Sequence, residues 1–584
     1  MPDELSAALR AILEEFLGRP SIDEGALERT AARLRALHER ATAVAKELER
    51  DVEPAFSFMP QHPAFAVPMD GGAPAPNGSV APSPSPTSMG SVTAGPAGPF
   101  MARSRRAQRL PAVAADDEGR WSLLQQIEAL RSRRVSATEL VRRRLEQAER
   151  LGPLLNAFIT LLPERALREA EAVDRAIATG ADTGPLCGVP LAVKDIFHVA
   201  GVPTTAGAAF LARVVADHDA TAVVRLRRAG AIIIGKTNTH QFAFGATNES
   251  SHIGPARNPW HLDHTPGGSS GGSGAAVAAG IVAAALGSDT GGSVRIPAAA
   301  CGIFGIKPTY GRVSKAGVLP LSWSLDHVGP LAASAADAAL LLEVLAGPDA
   351  GDASTQPVPV DDYLHATRLG AEGDLRGLRV AIVGGWFRQR IAATVERSVE
   401  RAAKTLAEAG AEILETDLPE AEGLLVANRL IILAEAAAYH AAFWPEHAGD
   451  YAADVRARVE LGQVMLAGDY LLGQRLRAEL TRRVSRRLGE LGVDLLLTPT
   501  LPLTAPKLGQ AEVEWPDGRE AVADALIRFT APFNVTGQPA ASVPFGVDDN
   551  GLPIGVQLVG RPFAEATVLR AAACLEAAAQ KPST

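Results

Sequence analysis

The sequence predicts an α/β fold: a central twisted mixed β-sheet covered by helices, with a small α-helical segment at the N-terminus. Three observations predict it. A helical run, Ala222 to Ala229, stops at Gly230 and passes into a short apolar strand, Ala231 to Ile234. The alternation returns where the strand Leu378 to Val383 precedes a helix striped by Val395, Val399, Ala402, Ala403 and Leu406, which Gly410 ends before Ala411 to Leu414. Repeated alternation of this kind builds a sheet layered with helices. Strands around Val543 and Val556 flank Asp548-Asp549-Asn550-Gly551, whose Asn-Gly suits a turn with positive φ, so the sheet is mixed rather than purely parallel.

From the N-terminus, Leu5, Leu9, Ile12, Leu13 and Phe16 fall on one helical face behind the N-cap candidate Asp3. After a break at Gly18 to Pro20, Leu27, Leu34, Leu37, Val44 and Leu48 line a second helix. Residues 1–52 thus read as a helical hairpin too small to bury its own stripe, which should dock on something. Residues 53–118 read as a flexible linker, because Gly71 to Gly98 is almost wholly Gly, Pro, Ala, Ser, Val and Thr and cannot repay the entropy of ordering. Arg103, Arg105, Arg106 and Arg109 at its end read as a solvated charged stretch. Residues 119–584 form the main domain, which opens near Trp121 with Ser136-x-x-Glu139 as a capping box. Its most apolar stretch, Gly274 to Gly287, is too short for a bilayer and reads as a buried helix.

Composition narrows the function classes. The 584 residues are 47% apolar, enough for at least one large core, and 57 Lys and Arg against 66 Asp and Glu leave no basic excess for phosphates. Neither a nucleic acid nor a membrane is expected as partner. The three cysteines, Cys187, Cys301 and Cys574, lie far apart without metal-like spacing, so neither a disulfide framework nor a metal site is expected. No charged-then-apolar leader opens the chain, and a cytoplasmic location is the expectation.

Some motifs mislead. Gly230 to Thr237 reads G-A-I-I-I-G-K-T and fits a P-loop pattern, yet its middle residues are themselves the apolar strand and a helix precedes them. Gly267 to Gly271 reads G-G-S-S-G and fits a nucleophile elbow, but a polar stretch broken by Pro259 and Pro266 stands where a buried strand is needed. His252, His261 and His264 lie in irregular sequence with no supporting carboxylate or thiol pattern and read as loop histidines.

Three segments put a reactive side chain beside unusual backbone. In Gly188 to Asp195, Lys194 ends an apolar strand, where desolvation favours the free amine, a base; a pair with Asp195 is the structural alternative. Gly267 to Ser273 has more small residues than a turn requires and precedes apolar sequence, so its amides and hydroxyls can crowd one point at a helix start. Gly287 to Pro297 repeats the arrangement, with Gly291 and Gly292 freeing successive N–H groups before Ser293, which suits an oxyanion hole.

With these segments, and with Cys301 to Thr309, Ser324 to Pro330 and Gly551 to Leu558, the sequence resembles the amidase signature family over roughly Trp121 to Ala573. The resemblance implies the amidase signature fold and a triad of Lys194, Ser269 as cis-serine and Ser293 as nucleophile, with a cis peptide at Gly268-Ser269 and no cofactor. Ser293 would attack an amide carbonyl, its proton passing through Ser269 to neutral Lys194, while the N–H groups of Thr290, Gly291, Gly292 and Ser293 hold the oxyanion. Asp289 and Arg295 flank the nucleophile and are expected to brace the hole as an ion pair. Phe244 and Trp323 are candidates for the substrate pocket, which would favour an apolar or flat acyl group, with core packing as the alternative.

Within the family, the N-terminal hairpin followed by Val52-Glu53-Pro54 resembles the small helical subunit of tRNA-dependent amidotransferases and the small partners of biuret-type amidases. The stretch Leu433 to His440 lacks the serine-rich sequence and following Arg-Tyr-Asp of glutamine-using subunits. The expectation is therefore a stand-alone hydrolase of a small amide, urea or carbamate; the rival is the glutamine-hydrolysing subunit of a tRNA-dependent amidotransferase. A homodimer is left open, as is whether the hairpin docks in cis.

Overall fold

A computed structural model describes residue 32 and residues 36–44 and 121–579 of the chain. The first hairpin helix, most of the second and the linker thus lie outside the described residues. These described residues belong to one compact unit, 1–44 with 107–584; the other unit, 45–106, lies outside them.

Thirteen strands are described: β1 Phe158–Leu161, β2 Pro190–Lys194, β3 Ile232–Thr237, β4 Ala284–Asp289, β5 Phe304–Lys307, β6 His327–Ala332, β7 Arg379–Val383, β8 Glu412–Thr416, β9 Leu495–Pro499, β10 Glu512–Trp515, β11 Gly518–Ala521, β12 Ala540–Val547 and β13 Pro553–Gly560. Eleven form one sheet in the order β1-β3-β2-β4-β6-β5-β12-β13-β9-β7-β8, and β10 and β11 make a separate hairpin. The sheet is mixed: β2 runs parallel to β3 and β4, and β7 parallel to β8 and β9, while β4 and β6 are antiparallel. The turn read at Asn550-Gly551 joins antiparallel β12 and β13, Gly551 has φ 78°, and Val543 faces Val556 in register. Strands β2, β3, β4 and β6 are buried along their whole length, so helices cover both faces and the strands read as continuous apolar runs.

Helices follow their sequence signals closely. Ser136 caps the helix Ala137–Leu155 through the Glu139 amide, although the reciprocal glutamate contact of a full capping box is not made. The stripe Val395, Val399, Ala402, Ala403 and Leu406 is the buried face of the helix Ala393–Glu408. One segment departs from expectation: Gly274 to Gly287 is not a single helix. The helix Gly271–Ala278 stops, Gly280 takes φ 70°, and the chain resumes as β4. A short apolar run has no period that separates a buried strand from a buried helix, and the glycine at positive φ decides it.

In the N-terminal region, helix 36–44 buries Leu37 and Ala41, and His38 Nδ1 lies 3.0 Å from Asp469 Oδ1 near the start of the helix Ala467–Leu491. Among the described residues no helix is long and apolar enough to cross a membrane.

Candidate active site

Strand β2 carries Lys194 at its C-terminal end, fully buried, between β3 and β4. Its Nζ donates to Ser269 Oγ at 2.7 Å and to Ser288 Oγ at 2.9 Å. Among the described residues it makes no ion pair. Burial pulls its pKa down from 10.5 to about 7, against the opposing pull of Asp326 and Asp289. The structural alternative, a Lys194–Asp195 pair, is not formed. Asp195 lies one residue beyond the strand and meets Lys236 Nζ at 2.9 Å, with Thr205 N at 3.0 Å and Thr205 Oγ1 as further donors. Lys236, the lysine of the P-loop-like run, is thereby tied into a buried pair within the sheet.

The second segment approaches Lys194 through Ser269, whose peptide bond to Gly268 is cis and whose carbonyl accepts from His240 N at 3.1 Å. The small residues have a steric cause. A Cβ on Gly272 would lie 2.5 Å from backbone atoms of Asn238 and of Ala157, so the helix Gly271–Ala278 can start here only without side chains. Ser270 links this loop to the next: its Oγ donates to Ser288 O at 3.2 Å and accepts from Ser288 N at 3.3 Å.

Strand β4 delivers the third segment. Asp289 ends the strand and forms a fully buried bidentate pair with Arg295, with Nε to Oδ2 at 3.0 Å and Nη2 to Oδ1 at 2.8 Å. Asp289 also accepts from Val294 N and from Asn534 Nδ2, and Arg295 donates to Thr530 O, Gln557 Oε1 and Asn534 Oδ1. Burial alone would raise the Asp289 pKa, but Arg295 outweighs it and holds the carboxyl well below the usual range. The expected ion pair is thus present and clamps both ends of the turn 290–294.

Within that turn, none of the N–H groups of Thr290, Gly291, Gly292 and Ser293 donates to an acceptor among the described residues. Buried amides are almost always paired, so four consecutive unpaired donors make a cradle for negative charge. Gly292 has φ 136°, and a Cβ there would collide with Thr530. Asn428 Nδ2 donates to Thr290 O at 3.1 Å, Thr530 Oγ1 to Gly291 O at 2.5 Å and Thr290 Oγ1 to Asp326 Oδ1 at 2.6 Å, so the carbonyls are turned outward and held. Ser293 is 7% exposed, and Ser270 N donates to its carbonyl at 3.3 Å. Among the described residues no hydrogen bond joins Ser269 Oγ to Ser293 Oγ, and no histidine side chain bonds to either serine. One leg of the expected relay is therefore formed, and the other is not closed as a hydrogen bond.

A cavity of about 390 Å³ adjoins the cluster; it is lined by Ser288, Asp326 and His327 on the sheet side and by Tyr310, Lys315 and Trp323, among others. Of the two pocket candidates, Trp323 lines this cavity and Phe244 does not. Phe244 is 5% exposed, its ring under the Arg458 guanidinium, which also donates to its carbonyl at 2.9 Å. Ser288 and Asp326 carry no sequence signal of their own, although they lie within Gly287 to Pro297 and Ser324 to Pro330. Asn428, Thr530 and Asn534 come from helical or connecting sequence with no local signal. Among the described residues no group of three or more His, Cys, Asp or Glu is placed to hold a metal.

Residues 139–569 match the sequence model of the family described as Amidase. A glutamyl-tRNA(Gln) amidotransferase subunit from Geobacter metallireducens is 39% identical over 471 residues, covering 77% of this chain and 95% of that protein. A solved structure from a vestigial protein complex that reveals the evolutionary origins of an s-triazine catabolic enzyme superposes with TM-score 0.74 at 36% identity, covering 78% of this chain and 98% of that one. The crystal structure of an amidase gives TM-score 0.70 at 36% identity, covering 79% and 100%.

Proposed function

The chain belongs to the amidase signature family, whose enzymes hydrolyse C–N bonds, and on that premise we propose that it cleaves a small linear amide through an acyl-enzyme on Ser293. The observation that carries this reading is Lys194: a buried amine whose hydrogen-bond partners are two hydroxyls and whose pKa lies at about 7. When the amine is uncharged the 2.7 Å contact reverses and Ser269 Oγ–H donates to the lone pair. Ser293 Oγ attacks the carbonyl carbon as its proton passes to Ser269 and that of Ser269 to Lys194. The oxyanion forms against the four free amides, and the ammonium returns a proton through Ser269 to the leaving nitrogen. Water then repeats the sequence on the acyl-enzyme. The Ser269–Ser293 contact closes when substrate fills the cavity, since catalytic hydrogen bonds commonly tighten only in the complex.

For the acyl donor, the names of the curated relatives favour glutamine, with the chain acting as the glutamine-hydrolysing subunit beside partner chains and tRNA. They support that reading better than the stand-alone one expected from sequence, and on it the expectation of no nucleic-acid partner falls as well. The stand-alone reading, a small amide, urea or carbamate, keeps one specific support. Helix Ala421–His440 departs from the glutamine-using pattern at 433–440, where the serine-rich stretch is missing and no Arg-Tyr-Asp follows. Release of ammonia from glutamine, small primary amides, biuret and carbamates, with Ser293→Ala as control, tests both. Turnover of glutamine alone supports the first reading; turnover of the others without glutamine supports the second. Activity retained in Ser293→Ala refutes the mechanism.

A further inference from the structure

Two cations flank the ring of Tyr310, which lines the cavity, and neither makes an ion pair among the described residues. Lys315 Nζ sits 4.2 Å from the centre of the Tyr310 ring and donates to Tyr310 Oη at 3.0 Å and to Trp323 O at 2.8 Å, leaving its third N–H unused. Arg477, on the helix Ala467–Leu491, holds its guanidinium 5.8 Å from the same ring and makes no hydrogen bond or ion pair among the described residues. Three carboxylates stand nearby, and neutral donors already engage each of them. Asp326 accepts from Thr290 Oγ1 and from the amides of Leu321 and Ser322. Glu435 accepts from the Ser322 and Ser324 hydroxyls and from Tyr470 Oη, and Asp352 from Lys315 N and Ser354. The cations thus have spare donors, whereas the carboxylates turn toward hydroxyls and amides.

Resting on the hydrolase reading above, we propose that the cavity takes amides whose acyl part carries a carboxylate, bound by Lys315 and Arg477 beside the Tyr310 ring. The two oxygens of a carboxylate can accept from both donors, and Val318, Leu319 and Trp323 give the cavity an apolar wall for the methylene chain. The α-carboxylate of glutamine and the carboxylate of a small acidic amide present the same chemistry; a neutral amide of equal length does not.

The test compares glutaramate (⁻OOC–(CH₂)₃–CONH₂) with pentanamide, which differ only in carboxylate for methyl. Wild type should favour glutaramate by about 100-fold in kcat/KM, mainly through KM. Lys315→Met and Arg477→Met should each cut that ratio roughly 10-fold or more, as loss of a charge-assisted hydrogen bond requires. Lys315→Arg should retain most of it, and thermal melting confirms that each variant is folded. Equal kcat/KM for the two amides in wild type, or a ratio unchanged in both Met variants, overturns the proposal. Glutarate binding to Ser293→Ala, measured by calorimetry, separates this idea from its premise. If glutarate binds and Lys315→Met abolishes binding while neither amide is hydrolysed, the anion subsite stands and the hydrolase reading falls. If glutarate does not bind and pentanamide is turned over, the reverse holds.

Discussion

Lys194 and Lys236 occupy neighbouring strands one register step apart, since Val193 faces Lys236 and Lys194 faces Thr237, and both are completely buried. Their surroundings differ. Lys236 has Asp195 at 2.9 Å, whereas Lys194 has hydroxyls only. Burial pulls both pKa values down, but Asp195 directly opposes it for Lys236, and nothing at contact distance opposes it for Lys194. Burial alone therefore does not make a base; burial without a carboxylate in contact does. One lysine braces the sheet, and the other is free to accept a proton near neutrality.

The comparison breaks first under substitution of Lys194. Lys194→Met should lower kcat on the order of 10³-fold, as loss of a positioned base does, with a melting temperature held or raised because a desolvated amine is replaced by an apolar chain. Steady-state amide hydrolysis and calorimetry check both halves. Lys236→Met should act the other way: the stranded Asp195 carboxylate should cost about 3 to 5 kcal/mol of folding free energy in urea titrations, and Asp195→Asn added to it should recover part of the loss. Equal activity losses in the two lysine variants would erase the distinction.

pH sharpens it further. kcat/KM should rise about tenfold per pH unit below 7 and level off above, because the uncharged Lys194 is the active form; a rate still climbing at pH 9 would contradict this. Stability should follow with a definite sign. The unfolded chain binds a proton on Lys194 that the folded chain lacks between about pH 7 and 10.5, so this residue alone makes the fold more stable as pH rises across that window. Urea midpoints of wild type against Lys194→Met isolate the slope. The smallest effect belongs to Ser288→Ala, which removes the second partner of Lys194 and should lower kcat/KM about fivefold, equivalent to one ordinary hydrogen bond.

Much of this was legible in the sequence, for physical reasons. Backbone constraints leave local marks: the glycines around Ser269 and Ser293 are forced by close approach and positive φ, and Lys194 stands out because a charge at the end of an apolar strand needs explanation. Asp289 and Arg295 were readable because their pair closes a single turn. The partner of Asp195 was not, since Lys236 arrives from another strand inside a run that imitates a phosphate loop. Asn428, Thr530 and Asn534 act over 138 to 245 residues of separation from the groups they hold, and such common residue types carry no period or spacing that announces it. The strand β4 was hidden in an apolar run too short to show a period.

The proposed base and the amide cradle are carried by β2 and β4, which are hydrogen-bonded neighbours pairing Ala192 with Ala285 and Val193 with Leu286. Thermal motion cannot easily separate two groups mounted on adjacent rungs of one ladder. The proposed carboxylate subsite draws on other stretches, Lys315 and Tyr310 within 310–327 and Arg477 on the helix Ala467–Leu491. On that proposal, reaction and selectivity are written on different stretches of polypeptide, so selectivity can drift by substitution in the outer stretches while the inner ladder keeps its aim.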